Sequence, residues 1–317
     1  MNNHAYLTLI TCYHFGRANT DAYDRLLRSL RASVREVGPD GRIILVANGT
    51  ESGAESPLGV IRDLPLESQN RVVPVALQFN ARNVGSLNAG IAHALKFAPD
   101  RENEWIGQVQ SSVVLNPGWR VALFSGESTP DALFGRLVYE DDPSLIWADG
   151  HTLECGLTRN VAFNRPISCA SAATTGTFPC LSAAVFRKKA MEAVVKRYGN
   201  MVSERLPHYG DCTDIALRLI NCGYGAFEFK QAATALKRRP KRDLTQEAVL
   251  HLVAARLYYE NRRQDVEQRL KAKRPMEYVD AQRQADAIIS ASYAVTDAPP
   301  PNAGVLDQGW PCDRSGR

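Results

Sequence analysis

The sequence lacks any apolar run that approaches the roughly 20 residues needed to cross a bilayer. Its first residues, MNNHAYLTLITCYHFG, include a short apolar run but neither the basic region nor the small-residue cleavage site of a secretory signal peptide. We therefore expect a cytoplasmic protein without a membrane-bound segment.

Closely spaced cysteine pairs are also missing. The chain has seven cysteines, an odd number, and none of them form a Cys-x-x-Cys pair. Zinc sites and disulfide frameworks are usually recognised in a sequence by such pairs or by an even set. The sequence therefore predicts reduced thiols rather than a zinc site or a disulfide scaffold.

The composition is that of an ordinary globular protein with one unusual charge distribution. At 317 residues with 44% hydrophobic content, the chain can bury the core of one large α/β domain with appendages, or of two modest domains. Its net charge of +4 is uneven, because residues 230–274 carry 13 Lys or Arg against 5 Asp or Glu. Such a run is either a solvated helix face or a surface that meets an anion, a membrane or nucleic acid.

Short apolar runs alternate with helical patterns in the first 110 residues. The predicted strands are Tyr6–Tyr13, Arg42–Ala47, Val72–Leu77 and Trp105–Val109, and the predicted helices are Ala22–Val37 and Leu87–Phe97. This order predicts a doubly wound α/β sheet. Ligands of such sheets bind beyond the carboxyl ends of the strands, so the residues that follow each strand are the candidate site.

The later pattern divides the chain into three parts. Further strands and two helices, Lys188–Tyr198 and Cys212–Cys222, extend the α/β domain, which we place at residues 1–235. Residues 236–293 are predicted to form a basic helical extension. The Pro- and Gly-rich residues 294–317 are predicted to be a disordered tail.

Five segments, in this order, resemble family 2-type glycosyltransferases with the GT-A fold. They are LITCYHFGR, ILVANGTESG, FNARNVGSLNAGIAHAL, VQSSVVLNPGW and HYGDCTDIALRLINCGYG, and together they cover roughly residues 5–225. The resemblance implies an α/β fold, a GT-A-like doubly wound mixed sheet with flanking helices. It also implies transfer of a sugar from a nucleotide-sugar donor, with a UDP-sugar as the first expectation, to an acceptor hydroxyl with inversion.

Such a transfer needs a nucleotide pocket, positive charge or dipoles against the leaving diphosphate, and a carboxylate that takes the acceptor's proton. The candidate donor-binding residues are Thr11, Tyr13, Asn48, Arg82, Asn83, Gly85, Asn88, Gln110 and Ser112. We expect the Asn83–Gly85 segment to be a loop before a helix whose N-terminus attracts the phosphates. The alternative is that Asn83 and Gly85 only form a tight turn and that Asn88 is a surface residue of the helix.

Two carboxylates, Asp211 and Asp214, are one helical turn apart and are the candidate catalytic residues. In the pattern that the late segment resembles, the base often lies at the position of Cys212, so we assign the base to Asp211 and a positioning role to Asp214. Otherwise Asp211 is only a helix cap.

The acceptor-binding candidates are Thr175 and Gly176, in the small-residue stretch SAATTG, and His208. The alternatives are a plain connection for the stretch and a structural role for the histidine.

The resemblance also implies Mg²⁺ or Mn²⁺, yet Ser112 stands at the position of the usual metal-binding acid, and Ala47 replaces a second donor-binding acid. Three interpretations stay open: a metal-independent enzyme that uses Arg82 or a C-terminal basic residue, an enzyme whose metal is held weakly through the donor diphosphate, or a catalytically silent sugar-nucleotide or glycan binding protein. A fourth hypothesis, from the basic extension alone, is a glycosyltransferase that modifies nucleic acid.

Overall fold

The computed structural model describes residues 5–14, 20–49, 57–97, 103–126, 128–154, 157–169, 173, 176–204, 206 and 210–239. The tail and the predicted helical extension beyond residue 239 lie outside these ranges. Within them, no helix combines the length and the apolar character that crossing a membrane requires.

The described residues form eleven strands and seven helices. The strands are β1 (Tyr6–His14), β2 (Arg42–Asn48), β3 (Val72–Leu77), β4 (Glu104–Val109), β5 (Val113–Leu115), β6 (Ala132–Tyr139), β7 (Ile146–Ala148), β8 (His151–Glu154), β9 (Leu157–Asn160), β10 (Ala183–Arg187) and β11 (Phe227–Lys237). The helices are α1 (Thr20–Val37), α2 (Pro57–Arg62), α3 (Leu66–Gln69), α4 (Arg82–Phe97), α5 (Trp119–Leu123), α6 (Lys188–Tyr198) and α7 (Asp211–Asn221).

One large mixed sheet organises the fold, in the strand order β3-β2-β1-β4-β10-β6-β11-β5, with β7 paired to β6. The four strands β1 to β4 are parallel, as their alternation with helices predicts. Strand β10 runs antiparallel between β4 and β6 and makes the sheet mixed. The predicted α/β class, a doubly wound mixed sheet with flanking helices, is confirmed.

The alternation of side chains along β1 shows how the two faces are covered. Leu7 and Leu9 point into one apolar cluster, which contains Leu30 of α1, whereas Ile10 points into a second cluster, which contains Leu87 of α4. Period-two alternation sends neighbouring residues to opposite faces, so a strand that is apolar throughout is covered on both sides.

Helix α4 begins earlier than the sequence indicates. It was predicted from Leu87, but it begins at Arg82, whose backbone N–H donates to the side-chain oxygen of Asn80 at 2.9 Å. That contact acts as a cap, because it satisfies an N–H that has no partner within the helix. Asn83 and Gly85 therefore lie in the first turns of a helix, and the predicted loop at these residues is wrong.

The segment Asn116–Trp119 anchors the chain just after β5. Gly118 has a φ of 81° and Trp119 is buried, while the Glu36 carboxylate accepts hydrogen bonds from the backbone N–H groups of Gly118 at 3.2 Å and Arg120 at 3.1 Å. A left-handed φ favours glycine, and the carboxylate satisfies donors at the start of α5. This segment is structural, and β5 separates it from the turn at residues 110–112.

A buried ion pair fixes the strands that follow β6. Arg136 donates to both carboxylate oxygens of Asp149, at 2.8 and 2.7 Å, and to the carbonyl of Ile167 at 3.0 Å. Separating the two side chains would leave a buried charge without a partner, which is strongly unfavourable. The pair therefore holds the chain just before β8 in a defined position. His151 follows Asp149 by two residues.

Strand β11 extends beyond the predicted domain boundary at residue 235. Leu236 and Lys237 pair with Val114 and Val113 of β5 on one side, and with Val138 and Tyr139 of β6 on the other. These two residues, which the sequence assigned to the basic extension, are therefore part of the sheet.

Candidate functional site

Three separate segments meet at the carboxyl edge of the sheet. Gln110 follows β4, and the start of β10 lies beside it because Ala183 pairs with Val109. Strand β11 ends at Lys237, which pairs with Val113 just beyond the turn at residues 110–112. Lys237, the last residue of β11, therefore lies at the same edge of the sheet that is predicted to hold a ligand.

Among the described residues, Lys237 is the one basic residue that donates a hydrogen bond to the side chain of Gln110. Its Nζ donates to the side-chain oxygen of Gln110 and, at 2.9 Å, to the hydroxyl of Ser182, and it lies 5.1 Å from the centre of the Trp147 ring. No described carboxylate forms an ion pair with it. Burial lowers the pKa of Lys237, an effect that the nearby Cys180, Cys212 and Asp211 oppose. The site thus holds a cation whose hydrogen-bond partners are neutral oxygens.

Asp211 begins α7, directly after Gly210, which has a φ of 94° and occupies the cap position. One carboxylate oxygen of Asp211 accepts from the Asn83 amide at 3.2 Å, and the other accepts from the backbone N–H of Cys212 at 3.0 Å. Burial raises the pKa of Asp211. The contact with Asn83 joins two of the predicted site residues that are far apart in the chain.

Asp214 has a different environment. Its carboxylate accepts from the backbone N–H of Ser203 at 2.7 Å and forms an ion pair with Arg218 at 2.9 Å, and it is 1% exposed. Arg218 also donates to both oxygens of Asn200, at 2.9 and 3.0 Å. These contacts hold the segment after α6 against α7, so Asp214 contributes to packing here.

Asn48, at the end of β2, positions the start of α4. Its amide donates to the side-chain oxygen of Asn80 at 3.0 Å and to the carbonyl of Arg82 at 3.2 Å, and its oxygen accepts from the backbone N–H of Ala81 at 2.7 Å. Since Asn83 follows directly, Asn48 acts on the site through the placement of this helix.

Asn88 is buried rather than on the helix surface. Its side chain donates to the carbonyl of Val202 at 2.8 Å and accepts from the N–H of the same residue at 3.0 Å. The side chain thereby joins α4 to the segment that Asp214 also holds.

The remaining donor-binding and acceptor-binding candidates have varied surroundings. Thr11 and Tyr13 are buried, the latter in the apolar cluster beneath α1; Arg82 starts α4 with a φ of 60°; Gly85 lies against Ala81; Ser112 is half-buried in the turn after β4; and Gly176 is exposed with a φ of 97°. Thr175 and His208 lie outside the described residues.

The strand end at residues 110–112 does not fit a Mg²⁺ or Mn²⁺ site. The segment Gln110-Ser111-Ser112 offers an amide and two hydroxyls but no carboxylate, and the ammonium group of Lys237 is hydrogen-bonded to Gln110. Hard divalent cations are held by oxygen ligands, carboxylates above all, and a neighbouring ammonium repels them. The second replaced acid, Ala47, is fully buried in β2.

His151 and Cys180 were not predicted as site residues, and Cys212 was noted as the residue at the position of a catalytic carboxylate and given no catalytic role. One ligand atom from each residue lies within 4.8 Å of the other two. The backbone N–H of Leu181 donates to the Cys212 sulfur at 3.4 Å, and a hydrogen bond between the thiols lowers the pKa of Cys180 and raises that of Cys212. No local motif announces this cluster, because its members come from three distant segments.

No known protein-family description matches the chain, and no curated protein matches it. Among solved structures, it is similar to a mannosyltransferase from Pyrobaculum calidifontis in complex with GDP-Man and Mn²⁺, with a TM-score of 0.49, 14% identity, and coverage of 96% of this chain and 79% of the other. It is also similar to S. aureus TarS in complex with UDP-GlcNAc, with a TM-score of 0.47, 10% identity, and coverage of 90% and 81%. A third is GalNAc-T7 with UDP, GalNAc and Mn²⁺, with a TM-score of 0.49, 10% identity, and coverage of 96% and 58%.

Proposed function

We propose that the protein is a glycosyltransferase that moves a sugar from a nucleotide-sugar donor, a UDP-sugar foremost, to an acceptor hydroxyl with inversion, without a carboxylate-held metal at Ser112. The observation that carries the proposal is Lys237 beside Gln110, at the edge of the sheet where the donor diphosphate is expected. The reaction needs positive charge at this position, and an ammonium group supplies it where the metal-binding acid is missing.

Lys237 would stabilise the negative charge that develops on the leaving diphosphate. Its hydrogen-bond partners among the described residues, Gln110 and Ser182, are uncharged, so they leave its charge uncompensated by direct pairing. Partial burial strengthens that charge's effect on a nearby anion, because less water screens it. The N-terminus of α4, a 16-residue helix, adds backbone N–H groups and a favourable dipole at the same edge.

Asp211 would act as the base. In a direct displacement, the acceptor oxygen forms a bond to the sugar's anomeric carbon as the bond from that carbon to the phosphate oxygen breaks. The electron pair leaves with the nucleoside diphosphate, and the acceptor proton goes to the Asp211 carboxylate. A buried carboxylate with a raised pKa accepts a proton more readily than an exposed one, and Asn83 holds its orientation.

The test combines a binding screen and a turnover assay. A panel of nucleotide sugars is first screened by thermal shift, in which a donor that binds the folded protein raises Tm. With the best donor, Asp211→Asn is expected to retain binding and to lose at least about a hundredfold in hydrolysis or transfer, because it cannot take the proton. Asp142→Asn, at a half-buried side chain that accepts a hydrogen bond from Ser144, is the matched control. If no nucleotide sugar stabilises the protein, the proposal fails.

A silent sugar-nucleotide or glycan binding protein is the second candidate. It is favoured by Cys212, which stands where the resemblance places the catalytic carboxylate, and by the apolar burial of Ala47. Tight donor binding with no turnover over a broad acceptor panel would establish it in place of the enzyme. Action on nucleic acid stays a prediction, because most residues of the basic extension lie outside the described ranges.

A further inference from the structure

His151, Cys180 and Cys212 form a compact group that the proposed reaction does not use. His151 begins β8, Cys180 precedes β10, and Cys212 is the second residue of α7. One ring nitrogen of His151 and the two sulfurs all lie within 4.8 Å of one another. His151 and Cys180 are each 5% exposed, so the group is largely shielded from water.

The histidine of this group is held in a buried position beside Phe178. Its Nδ1 atom is buried and has no hydrogen-bond partner among the described residues. The ring packs against Phe178, with the centroids 5.6 Å apart, and the backbones of the two residues exchange hydrogen bonds of 2.9 and 2.8 Å. A buried polar atom without a partner is costly. The ring also interacts with Cys180, whose pKa it lowers.

We propose that these three residues bind a thiophilic divalent cation, zinc foremost. Two thiolates and an imidazole are the donors that Zn²⁺ prefers, and three protein ligands leave a fourth position for water or a substrate oxygen. The site differs from the Mg²⁺ or Mn²⁺ site expected at Ser112 in position and in donor chemistry. It also departs from the sequence analysis, which found no cysteine spacing typical of zinc.

The geometry needs only a small contraction. Zinc–sulfur bonds of about 2.3 Å and zinc–nitrogen bonds of about 2.0 Å in a tetrahedron place the ligand atoms roughly 3.5 to 4 Å apart. The present limit of 4.8 Å is larger by about 1 Å, so binding would require the two cysteine side chains to rotate towards the histidine. The backbone around them is fixed by β8 on one side and by the start of α7 on the other, where Thr158 of β9 contacts Thr213 at 2.8 Å.

The local charges also balance. Two thiolates neutralise the double charge of the ion. Because Asp211 adjoins Cys212, the ion would lie beside the proposed base. The metal site itself does not depend on the proposed function, since a binding protein on this scaffold could hold the same ion.

The test uses the full chain, freed of metal and kept reduced. Zn²⁺ is titrated in competition with a chromophoric chelator, and Co²⁺ is added in a parallel sample. We expect one tightly bound equivalent of Zn²⁺, and a Co²⁺ spectrum with tetrahedral bands and thiolate-to-cobalt charge transfer. Cys180→Ser, Cys212→Ser and His151→Gln should each weaken Zn²⁺ binding by at least about 100-fold, the upper end of what loss of an outer partner costs.

The matched control is Cys222→Ser, at the opposite end of α7 and outside the cluster. It should bind Zn²⁺ as the unchanged protein does. Equal binding in the control and the cluster variants, or no stoichiometric binding by the reduced protein, overturns the proposal. A Cys180–Cys212 disulfide formed in air, with no Zn²⁺ bound after reduction, also overturns it. If a cluster variant does not fold, the Co²⁺ spectrum of the unchanged chain decides, and absence of thiolate charge transfer counts against the site.

Discussion

At the residue scale, the side-chain oxygen of Gln110 lies between two donors, the ammonium of Lys237 and the hydroxyl of Ser182 at 3.1 Å. Gln110→Glu changes the shape little but places a carboxylate against that ammonium. In the resulting ion pair, the new carboxylate would compensate the positive charge of Lys237, which we propose neutralises the donor diphosphate. We expect donor affinity to fall at least about tenfold, or about 1.4 kcal/mol, as measured by calorimetric titration.

Gln110→Ala is the matched control for this substitution, because it removes the same contact without adding charge. Donor affinity should stay within a few-fold of that of the unchanged protein. Equal losses in the two variants would mean that the shape of Gln110 matters and the charge of Lys237 does not.

Individual site residues were predictable where a local pattern carries them. Asp211 and Asn83 belong to quoted segments, and the structure brings them into contact at 3.2 Å. Lys237 belongs to the C-terminal basic residues that the sequence offered as possible diphosphate contacts, but its position beside Gln110 was not predictable, and neither was the place of Cys180, since antiparallel pairing of β11 with β5 and of β10 with β4 decides their neighbours. His151, in β8, was not predicted as a site residue. Such long-range pairing leaves no periodic signal in the sequence around each residue.

At the element scale, Asn88 joins α4 to the segment before α7 through both of its side-chain polar groups. Asn88→Ala would leave the buried N–H and carbonyl of Val202 without these partners. We expect the free energy of unfolding, measured by urea denaturation, to fall by about 2 to 4 kcal/mol, since each unsatisfied buried group costs about 1 to 3 kcal/mol. Asn70→Ala, at an exposed position, should change it by less than about 0.5 kcal/mol. A loss for Asn88→Ala no larger than for Asn70→Ala would contradict this assignment.

The elements with a strong pattern were predicted well. Helix α6 has the predicted bounds, and β3 does as well. The start of α4 was misplaced because a side-chain cap at Asn80, followed by Arg82 with a positive φ, starts the helix before its apolar face begins. The prediction followed the apolar periodicity, which cannot register a cap of this kind.

At the scale of the whole molecule, β11 lies between β6 and β5 in the large sheet. The last two residues of β11 lie beyond the predicted domain boundary at residue 235. A chain that ends at residue 235 lacks Leu236 and Lys237, which pair with both β5 and β6. We expect it to be less stable than a chain that ends at residue 239 by about 2 to 3 kcal/mol, from lost ladder hydrogen bonds and apolar contact. Denaturant unfolding of the two truncated chains measures the difference, and equal stability would contradict a contribution of these two residues to the fold.

The central claim is that Lys237, and not a carboxylate-held metal, neutralises the donor diphosphate. Its most direct test is to measure donor affinity at constant ionic strength, with and without added Mg²⁺ or Mn²⁺. The unchanged protein is compared with Lys237→Gln and with the control Lys230→Gln. The control removes a lysine of the same strand that is paired with Glu228. The predicted result is an affinity that added metal changes by less than about twofold, that Lys237→Gln lowers at least about tenfold, and that the control leaves intact. Donor binding that requires Mg²⁺ or Mn²⁺ and is unaffected by Lys237→Gln would contradict the claim.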